Sequence, residues 1–109
     1  MKILTLNDEL VLLAILRLGE NAYIVKLREH LNENTDKKWS VGNVFILLEK
    51  LEEFGYVNWK MGEPTARRGG KAIKFYNVSK SGIEALKAKK NMVDEMWQGL
   101  TDIILGNRT

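Results

Sequence analysis

The chain has 109 residues, 45% of them hydrophobic and 28% charged, with one proline and no cysteine. That length suits one domain with one modest core, and the missing cysteines exclude a disulfide scaffold, a thiol nucleophile and Cys-ligated zinc or iron–sulfur centres. The net charge of +3 is unevenly spread: Lys60, Arg67, Arg68, Lys71, Lys74 and Lys80 face Glu63 alone, so this stretch is +5 and the remainder −2, a local positive patch that suits a polyanion.

In chain order, Lys2 and a short apolar patch are interrupted by Asn7, Asp8 and Glu9, which predicts no signal peptide and a cytoplasmic address. Apolar residues from Leu10 to Leu18 predict a largely buried first helix over about Asp8–Leu18. Thr5 with Asp8 forms a capping-box pattern and Gly19 a stop. Asn21 is the expected cap of a second helix, Ala22–Leu31, with Tyr23, Ile24, Leu27 and Leu31 on one face; the polar stretch Asn32–Lys38 reads as a loop. Ser40 predicts the start of a third helix, Val41–Phe54, whose stripe is Val44, Phe45, Leu47, Leu48, Leu51 and Phe54. After Gly55 the period changes. Tyr56–Met61 and Ala72–Val78 read as two strands around a Gly- and Arg-containing turn. Ser79 then caps a last helix predicted to run from Lys80 to Leu105. No apolar run approaches the roughly 20 residues of a membrane span, so no membrane is expected.

Three helices, a hairpin and a helix is the order of a winged helix–turn–helix: a mainly α fold with a small β-hairpin. The expected organisation is a DNA-binding domain over 1–79, with its wing at about 56–78, and a dimerisation helix with a short tail over 80–109. In such a fold the third helix is the reader, and its first turn faces base edges. That turn offers Ser40, Gly42 and Asn43, preceded by Lys37, Lys38 and Trp39. Ser40 and the adjacent N–H groups suit a phosphate, and the Asn43 amide can pair bidentately with adenine. In the wing, Arg67, Arg68 and Lys71 are the expected phosphate contacts, with Gly69 and Gly70 letting the tip lie close to the duplex.

These residues carry a resemblance to the PadR-like family of bacterial transcriptional regulators, from about Leu10 to Leu86. Gly19, Glu20, Asn21, Ala22 and Tyr23 are similar to the stretch opening the family's second helix. Ser40, Gly42, Val44, Phe45, Leu48, Leu51 and Glu52 follow its reader-helix spacing, with Phe45 where the family usually has Tyr. Glu53–Val57 leads to the wing as in the family. Arg67, Arg68, Gly69, Gly70, Lys71, Phe75, Tyr76, Val78, Ser79 and Gly82 follow its wing and the start of its last helix. The resemblance implies a dimer held by the C-terminal helices. In some small members it also implies a flat aromatic compound between them.

The residues of the last helix point the same way. Met92, Val93, Met96, Trp97, Leu100, Ile103 and Ile104 extend past what one small core can cover, which marks an interface. With Leu10 of the first helix they are the expected dimer contacts. Burying seven such side chains amounts to about 10–20 kcal/mol gross, before the costs of association. Met92, Met96 and Trp97 are the candidate wall for a planar aromatic effector; packing of Trp97 without a ligand is the competing reading.

The function expected is a bacterial, cytoplasmic, nucleoid-associated repressor, homodimeric on a palindromic double-stranded operator and released by a signal at the dimer interface. The alternative is a winged-helix protein–protein interaction module; an RNA-binding winged domain is a thinner option. No enzyme activity, metal or cofactor is expected. His30 is the only histidine, on a helix flank beside Glu29 and Glu33, and no Ser/His/Asp spacing or phosphate-binding glycine loop is present.

Overall fold

The computed structural model describes residues 2–62 and 72–106. Helix α1 spans Leu6–Leu18. The expected capping box forms: the Asp8 N–H donates to Thr5 Oγ1 (3.1 Å), and the Thr5 N–H donates to Asp8 Oδ2 (2.9 Å). Gly19 ends the helix. Val11, Leu12, Ala14 and Ile15 are buried, but Leu13 and Leu16 stay 43% and 48% exposed, so α1 is less enclosed than its composition suggests.

The second helix starts later and runs longer than expected. Gly19–Asn21 is a short 3-10 turn, and α2 covers Ile24–Asn34, with Tyr23 rather than Asn21 at its N-cap. The reason lies in the wing: the Ala22 carbonyl accepts the Tyr76 N–H (2.8 Å), so Ala22 serves a strand rather than a helix. At the other end Asn32, Glu33 and Asn34 are helical, and the connection shrinks to Thr35–Ser40.

Helix α3 spans Val41–Glu53 from the predicted Ser40 cap. Strands β1 (Val57–Met61) and β2 (Lys74–Val78) pair antiparallel, from Val57 opposite Val78 to Met61 opposite Lys74. The core draws Leu27 and Leu31 from α2, Val44, Leu48 and Leu51 from α3, and Tyr56, Val57 and Tyr76 from the hairpin, around the buried face of α1. This arrangement is a winged helix–turn–helix.

Helix α4 spans Lys80–Trp97. Its first turns sit on the body, with Gly82 and Ala85 buried. Gly82 is there for space: a Cβ at this position would overlap the Tyr56 carbonyl oxygen and lie 2.7 Å from Val78 Cγ1. The Ser79 hydroxyl donates to the Gly55 carbonyl (2.6 Å) and accepts from the Gly82 N–H (3.0 Å), fastening the same joint.

The predicted single helix to Leu105 is corrected. It stops at Trp97, turns through Gln98–Leu100 and resumes as α5, Thr101–Leu105. Gly99 takes φ +79°, a left-handed value that interrupts helical bonding. The apolar spacing continues in phase across the break, which hides it from periodicity. The distal part of α4 and α5 project as an arm. The radius of gyration is 16.5 Å, against about 13 Å for a compact chain of 100 residues. No described helix is long and apolar enough to cross a membrane.

Candidate nucleic-acid interface

The turn between α2 and α3 is built around Trp39. Asn32 Oδ1 accepts the Trp39 N–H (2.7 Å), and Asn32 Nδ2 donates to the Trp39 carbonyl (3.2 Å). The indole N–H donates to Thr35 Oγ1 (3.0 Å), which donates in turn to the Leu31 carbonyl (2.8 Å). Trp39 is 6% exposed. Its position in the sequence places it among the DNA-facing residues; its side chain instead anchors the start of α3 in the core. The polarity of Asn32 and its neighbours points to a loop, and no local signal marks its pairing with a backbone seven residues on.

Directly after this anchor, Ser40, Gly42 and Asn43 are all exposed. Ser40 and Asn43 form a reciprocal cap. Ser40 Oγ accepts the Asn43 N–H (3.0 Å), and Asn43 Oδ1 accepts from the Ser40 hydroxyl (2.8 Å) and N–H (3.4 Å). Bidentate pairing with adenine uses both ends of the amide, so it requires this box to open. Lys38 is exposed and forms no ion pair among the described residues. Lys37 Nζ donates to Asn7 Oδ1 (2.6 Å), tying the turn to α1. Asn7, Lys37, Lys38, Asn43 and Ile46 border a shallow cleft of about 360 Å³.

The outward face of α3 divides along its length. Its first half exposes Val41, Phe45 and Ile46; its second exposes Glu49, Glu52 and Glu53. Phe45, expected on the buried stripe, is 43% exposed because Val44, Leu48 and Leu51 already occupy the core-facing positions. Lys50, the one basic residue of α3, is turned inward, with Nζ 2.7 Å from Asp8 Oδ1. Asp8 is 1% exposed. Burial alone raises its pKa, but Lys50 and the Thr5 hydrogen bonds outweigh this and hold the carboxyl below its ordinary value.

The wing root is braced to α3. Trp59 Nε1 donates to Glu52 Oε1 (2.9 Å), and Lys74 Nζ lies 4.1 Å from the centre of the Trp59 ring. Tyr23 and Phe75 meet edge to face. Tyr76 is buried, and burial, followed by Glu52 and Glu49, pushes its phenol pKa upward. The predicted tip contacts Arg67, Arg68, Gly69, Gly70 and Lys71 lie outside the described residues.

On the arm, Met92, Met96, Trp97, Leu100, Ile103 and Ile104 are exposed and Val93 is half-buried. Leu10 packs against the core cluster and borders a cleft of about 470 Å³ with Leu13, Arg17 and His30. Met92 and Met96 stand one turn apart on α4, with Trp97 next to Met96 at its end. Trp97 lines a shallow cleft with polar neighbours, including Asp94 and Glu95; Met92 and Met96 do not. Among the described residues no three His, Asp or Glu side chains gather around a metal-sized space.

No protein-family model and no curated protein matches the sequence. Solved structures do. A PadR family transcription regulator from Clostridium difficile superposes with a TM-score of 0.69 at 15% identity, covering 89% of this chain and 97% of that one. A PadR family transcriptional regulator from Eggerthella lenta gives 0.68 at 19%, over 90% and 83%. A Streptococcus transcriptional regulator gives 0.65 at 22%, over 90% and 94%. These likenesses establish the PadR-like winged helix–turn–helix fold.

Proposed function

We propose that this chain is a sequence-specific regulator of transcription that binds double-stranded DNA as a homodimer on a palindromic operator and represses. The observation that carries the reading is the first half of α3. Its outer face is presented to solvent, anchored by the Asn32–Trp39 clamp and approached by Lys37 and Lys38, in a fold shared with transcription regulators. Ser40, Gly42, Asn43 and Lys38 face the duplex. Arg67, Arg68 and Lys71 hold phosphates from the wing, and Gly69 and Gly70 bring its backbone close. Residues 1–79 form the DNA-binding unit and 80–109 the dimerisation arm, whose first turns rest on that unit.

Exposed apolar side chains from Met92 to Ile104 support pairing of two arms, with Leu10 at the contact. Two such subunits would set their readers about 34–36 Å apart on successive major-groove faces. A planar aromatic compound held by Met92, Met96 and Trp97 would regulate through its differing affinity for two arrangements of the arms. The protein would work in the bacterial cytoplasm, on the nucleoid when bound.

The test is affinity for a duplex selected from a random pool, measured against salt. Replacing Arg67 and Arg68 by Ala should flatten the log–log slope by about 0.9 for each phosphate no longer neutralised. An unchanged slope removes the wing from the mechanism. Glu49 and Glu53 on the outer face of α3 favour the alternative, a protein-interaction module, which requires that no duplex bind with such a slope.

A further inference from the structure

The exposed half of α3 has an unusual chemistry for a reader. Its polar means are few: Lys50 is committed to Asp8, and Asn43 Oδ1 to the Ser40 cap. What it displays is apolar, with Phe45 43% and Ile46 63% exposed and Val41 beside them. The inward stripe already fills the core, so these side chains are surplus to folding. Phe45 and Ile46 stand three and four residues on from Gly42, one turn further along the same helix. At Gly42 a Cβ would meet nothing nearer than Ser40 Oγ at 3.8 Å. The result is an apolar patch open to solvent, with Ile46 bordering the same cleft as Lys37, Lys38 and Asn43; the exposed Lys38 suits a flanking phosphate.

In the major groove the apolar group on a base edge is the C5-methyl of thymine. Resting on the DNA-binding reading above, we infer that Phe45 and Ile46 recognise thymine methyl groups, so that preferred duplexes carry thymine opposite the first two turns of α3. Glu49, one turn further along this face, disfavours deeper insertion beside phosphate, which confines readout to this half.

The experiment uses the full chain and the duplex it selects from a random pool, remade with uracil in place of thymine at one position at a time. Uracil differs only by the missing methyl. Fluorescence anisotropy should show about fourfold weaker binding for each contacted methyl removed, at particular positions in each half-site. With Phe45→Ala and Ile46→Ala, thymine and uracil duplexes should bind equally at those positions. Equal binding of both duplexes by the unaltered protein overturns the inference and leaves the DNA-binding reading standing. Uracil sensitivity that persists in both variants overturns the assignment to these two residues. Absence of duplex binding altogether overturns the DNA-binding reading, and this inference with it. The uracil series on the unaltered protein does not depend on how the variants fold.

Discussion

The winged-helix body and the C-terminal arm are built from similar apolar residues and reach opposite ends. In the body, Leu12, Leu27, Leu48 and Leu51 are sealed, and several polar groups around them are paired: Asp8 with Lys50, Asn32 with Trp39, Ser79 with Gly55. In the arm, Met96 is 74% exposed, and its neighbours Trp97 and Leu100 lie open as well. Hydrophobic content therefore says little about burial by itself. What separates the regions is whether other elements of the same chain come within reach. Around α1 they do, as far along α4 as Lys89, whose Nζ donates to the Leu4 carbonyl (3.1 Å) and lies 3.6 Å from Glu9 Oε1; among the described residues nothing covers Met96, Trp97 or Leu100 in the same way.

That contrast can be broken at several points. The largest effect is expected at the joint where the two regions meet. Gly82→Ala forces a methyl into the Tyr56 carbonyl and should cost about 3 kcal/mol in urea unfolding; a neutral result would mean that α4 is not seated there. Next is Asp8. Its lowered pKa means that the carboxylate adds stability above its ordinary value of 3.8, and that this is lost as pH falls through the lower folded-state value. Asp8→Asn should lower stability at neutral pH by about 1–3 kcal/mol and remove that part of the acid-side decline, as read by melting temperature against pH. Asn32→Ala should cost about 1–2 kcal/mol and weaken duplex binding by more than the stability loss explains, since it frees the start of α3. The smallest effect on folding is expected at Met96→Ser, within about 0.5 kcal/mol for a surface site. Under the proposed pairing of two arms, the same change should shift the sedimentation profile toward monomer. A sedimentation profile unaltered by it would separate the arm from assembly.

Elements with local causes were legible in the sequence. Thr5–Asp8 and Ser40 carry their own capping chemistry, and the α1 and α3 starts follow from it. The hairpin follows from β-branched and aromatic runs around glycines. Features set by distant partners were not legible. Ala22 leaves its helix because Tyr76, 54 positions later, takes its carbonyl. Asn32 becomes helical and clamps Trp39, reversing the expected outward role of that indole. Phe45 leaves the stripe because the core-facing positions are already occupied. The break at Gly99 had a local cause in plain view, but the apolar spacing runs through it undisturbed, and periodicity counts faces rather than backbone angles. For the candidate interface, the chain segment was legible from the Ser40 cap and the fold order. The apolar character of its exposed face was not, because Phe45 reads as part of the buried stripe and nothing local marks Ile46.

The contact of Gly82 with the Tyr56 carbonyl has a mechanical consequence. Tyr56 follows the end of α3 and precedes β1, and its N–H is held by the Leu51 carbonyl (2.9 Å). With no side chain to cushion it, the joint has no slack. Helix α4 cannot roll or tilt without pressing on the backbone that both ends α3 and roots the wing. Eighteen residues of helix make a lever of about 27 Å. A displacement of a few ångströms at its far end therefore arrives at this fulcrum as a small rotation, shared by α3 and the hairpin together.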